Sequence, residues 1–360
     1  MNVDEGSGEL MHQQRFVYVG WQGHQNFGDD ILLDVWRRLL GSGVAAEAPL
    51  HATDYVRSAP GVVRGRKRAG RGGQVLLGGG TALGFRSWAQ HLRLATAAYG
   101  ADGVVVLGAG AAEGADTYAR SLQRVDWRAW RKVKNLRVLG VRGPLSQHEL
   151  RVNLDLDVEV LGDPALMYPY LRPTPAGKGP TLGICLGSQE STRFDVSSVA
   201  DAARVAVAEL GWDGVRVIGL AASDGPDVER LTSALGDLVR DVHLYAGDVA
   251  APTEIIGSCG AFVSERLHGA ILAVALGVPT VPLAYASKCD DFWLSVNSER
   301  PSLQPGCGPT QLVDEFLAAR EDSDERTRRA QSLAMASLAA VQELTPERNG
   351  LVTMRRTTAR

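Results

Sequence analysis

Residues 260–288 constrain the fold more than any other stretch, because they contain two short apolar runs separated by a buried helix. The first run is Ala261 to Ser264, and the second is Pro279 to Ala284. Between them, residues 267–276 are apolar on nearly every face of a helix, as in a fully buried element. A strand, a buried helix and a second strand predict a parallel βαβ unit. The stretch therefore predicts an α/β fold.

Four polar residues follow these two predicted strands. Glu265, Arg266 and His268 follow the first strand, and Lys288 follows the second. Because open α/β sheets bind ligands at the carboxyl ends of their strands, we expect these side chains to face a binding site. Taken one at a time, these residues have simpler explanations. Glu265 and Arg266 fit an ordinary surface ion pair, and His268 fits a residue at the start of a helix. The four together favour a functional site.

The rest of the chain repeats the alternation of strands and helices in two halves. These halves are residues 15–170 and 181–310, and the Pro- and Gly-rich residues 171–180 between them have the composition of a linker. Residues 1–14 predict a flexible tail. Residues 311–360 predict C-terminal helices, for which packing back onto the first half is one option. Two such halves predict two Rossmann-like domains that face each other across a cleft, the arrangement called GT-B.

The loop after the first predicted strand contains Asn26-Phe-Gly-Asp29, followed by a predicted helix. Gly28 lets the backbone approach a ligand, and Asp29 complements the positive end of the helix. Helix capping alone also explains the acid. The loop is therefore a candidate for ligand contact, with capping as the alternative.

Later strand ends in the first half carry further candidates. Gly79 and Gly80 follow a predicted strand, and their N–H groups are able to cradle a phosphate, although they complete neither a P-loop nor a dinucleotide fingerprint. Arg142 and Asp163 follow two later predicted strands. We expect them at the same edge of the sheet.

Composition and charge exclude several classes of protein. The 38 Lys and Arg against 41 Asp and Glu give a net charge of −3, so no global positive field recruits nucleic acid. The four cysteines lack ligand spacing, which indicates neither a zinc site nor a disulfide framework and fits a reducing cytoplasm. No apolar run reaches about eighteen residues, and the N-terminus lacks a secretory signal. We expect a cytoplasmic protein with neither metal nor resident cofactor.

Two basic segments stand apart from this pattern. Residues 57–71 contain six basic residues and no acid, threaded with Gly and Pro, which predicts a solvated loop. A helix predicted over residues 117–134 places Arg120, Arg124 and Arg128 on one face. A solvated amphipathic helix is the preferred interpretation. Peripheral contact with the inner face of an anionic membrane is the alternative.

Several of these segments resemble motifs of the polysaccharide pyruvyl transferase family. The resemblance rests on Ser264-Glu-Arg-Leu-His268, Gly277-Val-Pro279, Tyr285-Ala-Ser-Lys288, Asn26-Phe-Gly-Asp29, Arg142-x-x-x-Ser146 and Asp163-Pro164. It covers residues 17–296, and residues 264–268 are its most specific part. Gly143 departs from the pattern, since many relatives have an acidic residue there. This departure removes one charge partner of Arg142.

The family attaches pyruvate as a cyclic ketal to two hydroxyls of a sugar in a cell-surface glycan or its precursor, with phosphoenolpyruvate as donor and phosphate as product. The resemblance implies the same reaction here, with Arg142, His268 and Lys288 as the catalytic group. Arg142, Lys288 and Arg266 are expected to bind the donor's carboxylate and phosphate, together with Gly269. His268 is expected to protonate the donor's methylene carbon.

The resemblance places the donor at the C-terminal domain and a glycan or lipid-linked sugar acceptor at the N-terminal domain. The residues expected on the acceptor side are Asn26, Gly79, Gly80 and three unranked candidates for a base, Asp29, Asp163 and Glu265.

Three other functions stay open. A nucleotide-sugar glycosyltransferase shares the GT-B arrangement. A dinucleotide oxidoreductase needs a Gly-x-Gly-x-x-Gly turn, which the first predicted strand lacks. A non-catalytic sugar-binding module has little need to desolvate Arg142, His268 and Lys288 together. The oligomeric state is open as well.

Overall fold

The computed structural model describes residues 14–113, 124–174, 179–187, 191–296 and 302–345. Within these ranges, the N-terminal domain contains one sheet of parallel strands. The strands are β1 (Phe16–Val19), β2 (Val44–Glu47), β3 (Gln74–Leu77), β4 (Thr81–Leu83), β5 (Gly103–Ala111), β6 (Leu136–Val141) and β7 (Glu159–Val160). Their order is β2-β1-β3-β5-β6-β7, and β4 pairs with β5 beside this path.

Helices connect these strands and cover the sheet. They are α1 (Phe27–Leu40), α2 (Ala52–Arg57), α3 (Ala59–Ala69), α4 (Arg86–Tyr99), α5 (Trp127–Trp130), α6 (Pro144–Leu154) and α7 (Tyr168–Leu171). Asn26 caps α1 by accepting a hydrogen bond from the Gly28 N–H at 3.0 Å. Asp29 and Asp30 lie in the first turn, where negative charge stabilises the positive end of a helix.

The described part of the C-terminal domain forms a second parallel sheet, in the order β10-β9-β8-β11-β12. Its strands are β8 (Thr181–Cys185), β9 (Gly214–Gly219), β10 (Val239–Leu244), β11 (Ala261–Ser264) and β12 (Thr280–Pro282). Its helices are α8 (Val196–Leu210), α9 (Gly225–Leu235), α10 (Ala250–Gly257), α11 (Leu267–Ala275), α12 (Ser287–Ser295), α13 (Pro309–Ala318) and α14 (Ser323–Leu344). The predicted α/β fold with two Rossmann-like domains is confirmed.

Strand order reverses once in each sheet, between β1 and β3 in the first and between β8 and β11 in the second. Such a reversal opens a crevice at the carboxyl ends of the strands, where α/β proteins bind ligands. Gly20 follows β1, Gly79 follows β3 and Arg266 follows β11, and all three line the same cavity. The two crevices therefore face one shared cleft.

Backbone hydrogen bonds join the two domains at this cleft. Phe27 N donates to Leu220 O at 2.9 Å, and Ala222 N donates to Gln25 O at 3.1 Å. Phe27 also packs edge to face on Tyr245 of the C-terminal domain, with the ring centroids 5.7 Å apart. The loop before α1 is thus fixed by both domains.

Helix α14 runs from the C-terminal domain back to the N-terminal domain. Near its start, Arg326 Nη1 donates to Thr280 O at 2.9 Å, and its guanidinium lies 5.5 Å from the centroid of the Trp293 ring. Further along, Ser337 Oγ donates to Leu161 O at 2.8 Å. The helix therefore bridges the two domains behind the cleft.

For residues 57–71, the predicted exposure of the basic side chains is confirmed, whereas the predicted loop is wrong. Arg57 ends α2, and most of the basic residues lie in α3. A Cβ at Gly65 would lie 2.7 Å from both Ala46 and Tyr99. Close approach through a glycine therefore packs this polar helix onto its neighbours along Val62, Gly65 and Ala69. Because these residues are small, their helical spacing is a weak signal in the sequence.

The helix predicted over residues 117–134 is also wrong where the structure describes it. Among residues 124–134, only Trp127–Trp130 is helical. Arg124 precedes this short helix and Arg128 lies in it, whereas Arg120 lies outside the described residues. No helix in the described part of the chain is long and apolar enough to cross a membrane.

Candidate active site

A cavity of about 320 Å³ lies between the carboxyl ends of the two sheets and is lined by both domains. The predicted site residues that line it are Asn26, Asp29, Gly79, Gly80, Arg142, Arg266, His268 and Lys288. Asp163, Glu265 and Gly269 do not line it. No group of three His, Cys, Asp or Glu side chains with the arrangement of a metal site occurs in the described ranges.

Arg142 follows β6, and its side chain is fully buried. A Cβ at Gly110 would overlap the guanidinium, so glycine makes room for it there. Nε donates to Asp291 Oδ2 at 3.2 Å, and Nη1 donates to Thr81 Oγ1 at 3.0 Å. Nη2 has no hydrogen-bond partner among the described residues. An anion in the cavity is the natural partner of this group.

Asp291 also accounts for Gly143, the departure from the family pattern. A Cβ at Gly143 would overlap the backbone and the carboxylate of Asp291. The charge partner of Arg142 therefore comes from the opposite domain and leaves no room for a side chain at position 143.

His268 is the second residue of α11 and crosses the cleft to the N-terminal domain. A Cβ at Gly28 would overlap its imidazole, so the glycine of the loop before α1 admits the ring. His268 Nε2 lies 3.7 Å from Asp163 Oδ2. This is an ion-pair distance rather than a direct hydrogen bond. Asp163 is fully buried and lies behind His268 rather than on the cavity wall.

Burial lowers the pKa of His268 below its ordinary value. The carboxylate of Asp163 opposes this shift, whereas the positive charges of Arg142 and Lys288 add to it. The imidazole is therefore mainly neutral at neutral pH when the cavity holds no anion. Added negative charge would favour its protonated form.

Lys288 is the second residue of α12, and its Nζ lies 5.0 Å from the centroid of the Tyr285 ring. The first turns of α11 and α12 both reach the cavity through His268 and Lys288. Helix N-termini carry partial positive charge and favour anions. This side of the cavity is therefore suited to a negatively charged ligand.

Arg266 lines the cavity, but its guanidinium is paired with Asp224. Nε donates to Asp224 Oδ1 at 3.1 Å, and Nη2 donates to Ser223 Oγ at 3.0 Å. The Asp224 carboxylate also accepts the Leu220 and Ala221 N–H groups at 2.9 and 3.0 Å. Arg266 thus fixes the loop after β9 as well as adding charge to the cavity.

The three carboxyls considered as bases lie in different surroundings. Glu265 accepts hydrogen bonds from Gly187 N, Thr192 Oγ1 and Arg193 N at 2.7–2.9 Å, so it anchors a loop. Asp29, by contrast, lies on the cavity wall with a half-buried side chain. Burial raises the pKa of Asp29 to about 7, and the nearby Lys288 opposes the shift. Asp29 therefore exchanges a proton readily near neutral pH.

The glycines and Asn26 differ in what they contribute. Gly79 and Gly80 have φ angles of +115° and +72°, which favour glycine, and a Cβ at Gly80 would meet open space. Asn26 caps α1 as described above. A Cβ at Gly269 would meet Ser264 and Leu220, and its N–H donates to Arg266 O at 3.0 Å. Gly269 thus serves the fit of α11 on the sheet.

Sequence reasoning missed Thr81, Asp291 and Trp21. The first two position Arg142, whereas Trp21 follows β1 on the cavity wall, 37% exposed. Its ring stacks on His24 with the centroids 4.4 Å apart. The available signal in the sequence was a large aromatic side chain at a predicted strand end.

Comparisons with solved structures show the fold. S. aureus MnaA in complex with UDP has a TM-score of 0.56 at 9% identity, with 92% of this chain and 94% of that chain covered. A protein from Listeria monocytogenes that carries the name UDP-N-acetylglucosamine 2-epimerase has a TM-score of 0.58 at 11% identity, with 93% and 95% covered. At these identities the similarity concerns the two-domain GT-B-like architecture alone.

A comparison with curated protein sequences gives no match. The sequence model of the polysaccharide pyruvyl transferases matches residues 26–287, more than two thirds of the chain. The match begins at the loop before α1 and ends at the first residue of α12, so it includes Arg142, Asp163 and His268. Sequence, fold and cavity agree, and the chain belongs to the polysaccharide pyruvyl transferase family.

Proposed function

We propose that this protein transfers the pyruvyl group of phosphoenolpyruvate onto two hydroxyls of one sugar, forming a cyclic ketal and releasing phosphate. One observation carries the proposal: Arg142 Nη2, His268 and Lys288 meet at a single cavity between the domains. This combination offers two cations and a titratable proton carrier to one small anionic ligand. Family membership supports the same reaction class.

The donor carries a carboxylate and a phosphate, and the cavity offers cations from both domains. Arg142 from the N-terminal domain presents a planar fork, whereas Lys288 from the C-terminal domain acts as a compact charge. The N-termini of α11 and α12 add partial positive charge. A donor bound between them holds the domains together, and a cavity of about 320 Å³ is within the usual size of ligand sites.

His268 supplies the proton for the first chemical step. The donor's negative charges oppose the low pKa of the buried imidazole, so donor binding favours its protonation. The proton moves from His268 to the methylene carbon, which becomes a methyl group and leaves the adjacent carbon electrophilic. Asp163 stabilises the imidazolium before the transfer.

Asp29 serves as the base for the acceptor. Its carboxyl exchanges a proton near neutral pH, and it lines the cavity from the N-terminal side. A sugar hydroxyl adds to the electrophilic carbon and gives its proton to Asp29. The second hydroxyl then forms the second C–O bond as the C–O bond to phosphate breaks, and its proton leaves with the phosphate.

Trp21 provides an apolar surface for the acceptor sugar. Sugar rings expose C–H groups on one face, and large aromatic rings bury such faces well. The Trp21 ring is held on His24, whose Nδ1 lies 3.0 Å from Trp21 O. Gly23 N donates to Asp30 Oδ1 at 2.9 Å, which fixes the loop. The acceptor is therefore a glycan or a lipid-linked sugar that enters past Trp21.

Transfer from a sugar nucleotide is the rival function, since S. aureus MnaA has a similar fold and its structure contains UDP. The diphosphate of a nucleotide is also anionic. A sugar nucleotide has no alkene carbon for His268 to protonate, so His268 would act there as a base on the acceptor hydroxyl rather than as an acid. The rival requires turnover with a sugar nucleotide and none with phosphoenolpyruvate.

A location at the inner face of a membrane would suit a lipid-linked acceptor. Arg124 and Arg128 lie beside Arg86 and Arg131 around one surface pocket, and four arginines attract anionic lipid. Binding to anionic vesicles, compared with neutral vesicles, tests this part of the proposal. The transfer reaction does not depend on it.

Phosphate release from phosphoenolpyruvate, measured with and without sugar acceptors, tests the proposed reaction. The wild-type protein should release phosphate only with a suitable acceptor. His268→Gln should reduce turnover by about 10²- to 10⁴-fold, the usual effect of a positioned general acid, with a much smaller change in donor binding. His148→Gln, at an exposed position on α6, is the matched control. Near wild-type turnover of His268→Gln would exclude His268 as the acid.

A further inference from the structure

Asp291 connects the two domains directly at the cavity. It lies on α12, three residues after Lys288, and its side chain is 3% exposed. Its partner Arg142 belongs to the opposite domain and is fully buried. Burying two charges removes their hydration, so the pair persists only where the surrounding bonds fix its geometry well.

The N-terminus of α6 supplies those surrounding bonds. Ser146 N donates to Asp291 Oδ1 at 3.1 Å, and Ser146 Oγ donates to Asp291 Oδ2 at 2.7 Å. The helix has no side-chain cap of its own, because its N-cap is Gly143. Asp291 therefore caps a helix of the other domain, and both of its carboxyl oxygens are in use.

The guanidinium of Arg142 is consequently held at three points. Asp291 accepts from Nε, Thr81 accepts from Nη1, and the backbone at Gly110 approaches the plane so closely that a Cβ has no room. Nη2 is left without a hydrogen-bond partner among the described residues. Nη2 is the atom nearest to a Cβ at Gly110, and Arg142 lines the cavity, so these contacts fix the unpaired N–H group at the cavity wall.

We infer that Asp291 is a positioning residue for the donor: it fixes Arg142 across the domain boundary so that Nη2 contacts the donor anion. The identity of that donor rests on the proposed function. Lys288 lies one turn earlier on the same helix, so α12 positions both of the cationic side chains that contact the donor. It carries Lys288 directly and orients Arg142 through Asp291.

The substitution Asp291→Asn tests the inference. The side-chain amide keeps the size but loses the charge, and it turns one oxygen into a donor that opposes Arg142 Nε–H or Ser146 N–H. The donor KM should rise roughly 10- to 100-fold, as expected when a hydrogen bond between charged groups is lost, whereas the acceptor KM should change by less than about twofold. Asp290→Asn makes the same charge change on the same helix, where Asp290 Oδ1 accepts from Gln304 at 3.3 Å, and should leave both values near wild type.

A double substitution distinguishes positioning from general support of the fold. If Asp291 acts through Arg142, then Asp291→Asn should have little further effect on donor affinity in an Arg142→Ala background. An equal loss of affinity in both backgrounds would overturn the inference, because Asp291 would then act by another route.

Crystal structures without ligand separate this inference from the proposed reaction. In Asp291→Asn, the Arg142 guanidinium should leave its position on Thr81, whatever the donor is. An unmoved guanidinium overturns the inference even if phosphoenolpyruvate is the donor. If phosphoenolpyruvate proves inactive with the wild-type protein, the proposed reaction fails and this structural comparison still decides the role of Asp291.

Should Asp291→Asn fail to fold, wild-type crystals soaked in inorganic phosphate provide the second measurement. The phosphate should accept from Arg142 Nη2 while Nε stays on Asp291. An Arg142 that leaves Asp291 to reach phosphate, or crystals with no phosphate at Nη2, would contradict the inference.

Discussion

Replacing Asp29 with Asn should stabilise the protein above neutral pH. In the unfolded chain this carboxyl loses its proton near pH 3.9, whereas burial at the cavity raises its pKa to about 7 in the native protein. The native state therefore holds more protons between these values, so stability falls as pH rises from about 4 to about 7. The loss of stability caused by the charge of Asp29 is complete above about pH 7. Asn carries no charge, so Asp29→Asn does not lose this stability.

The structure sets the size of this effect. A difference of about three pH units corresponds to about 4 kcal/mol, but the side chain is only half-buried, so contact with solvent reduces this value. We expect the stability advantage of Asp29→Asn over wild type to grow by about 1 to 2 kcal/mol between pH 5 and pH 8.

Urea unfolding of both proteins at pH 5 and pH 8 measures this growth. Asp34→Asn is the control on the same helix, because Asp34 is paired with Arg38 at 2.6 Å and its loss should give no such gain. An advantage of Asp29→Asn that stays constant between the two pH values would refute the raised pKa of Asp29. It would also remove the reason to prefer Asp29 as the base.

Three further predictions concern the ligands. Arg142→Ala or Lys288→Ala should weaken phosphoenolpyruvate binding by about 2 to 4 kcal/mol in calorimetry, because each removes a charge-assisted contact. The control Lys132→Ala, at an exposed position, should not weaken it. Unchanged binding in both cavity variants would contradict the donor site. Burial lowers the pKa of His268, and the negative charge of the donor opposes this shift, so donor binding should be coupled to the uptake of a proton by His268. Donor affinity should therefore fall between pH 6 and pH 8 more steeply in wild type than in His268→Gln. Equal slopes would exclude this proton uptake. Trp21→Ala should raise the acceptor KM roughly three- to tenfold in steady-state assays without changing the donor KM; a change in the donor KM alone would contradict the acceptor surface.

The sequence predicted most strands and helices because the central strands of both sheets are buried on both faces. The predicted strand Ala261–Ser264 matches β11. In the sequence, the apolar run of residues 104–107 ends at Gly108, whereas β5 continues to Ala111. Gly108 lies in this extension with a φ of +67°, where a Cβ would collide with Pro164. From the sequence alone, a glycine that leaves space for a neighbouring side chain cannot be distinguished from a glycine that ends a strand.

Strand-end reasoning also predicted most of the residues that meet at the cavity. It works because the carboxyl ends of parallel strands share one edge of a sheet. It did not distinguish Glu265 from its neighbour Arg266. Glu265 accepts a hydrogen bond from a loop, whereas Arg266 lines the cavity. Successive residues along an extended chain point in different directions, and sequence adjacency does not show which one faces the ligand.

Asp291 could not be predicted in this way. Its partner Arg142 lies 149 residues away in the other domain, and no spacing rule pairs residues of separate domains. Helix α12 has a mixed polar pattern without clear apolar periodicity, so the sequence did not show that Asp291 and Lys288 share a helix. Only the folded arrangement of the two domains brings the pair together.

The pyruvyl product formed in D2O tests the central claim most directly. Protonation of the donor's methylene carbon adds one hydrogen from solvent, so the ketal should carry a CH2D group in the mass spectrum, with one phosphate released per ketal formed. Sugar transfer from a nucleotide forms no pyruvyl methyl group and releases no phosphate from phosphoenolpyruvate. A product whose transferred group carries no solvent deuterium, or turnover without loss of phosphate from phosphoenolpyruvate, would contradict the proposed reaction.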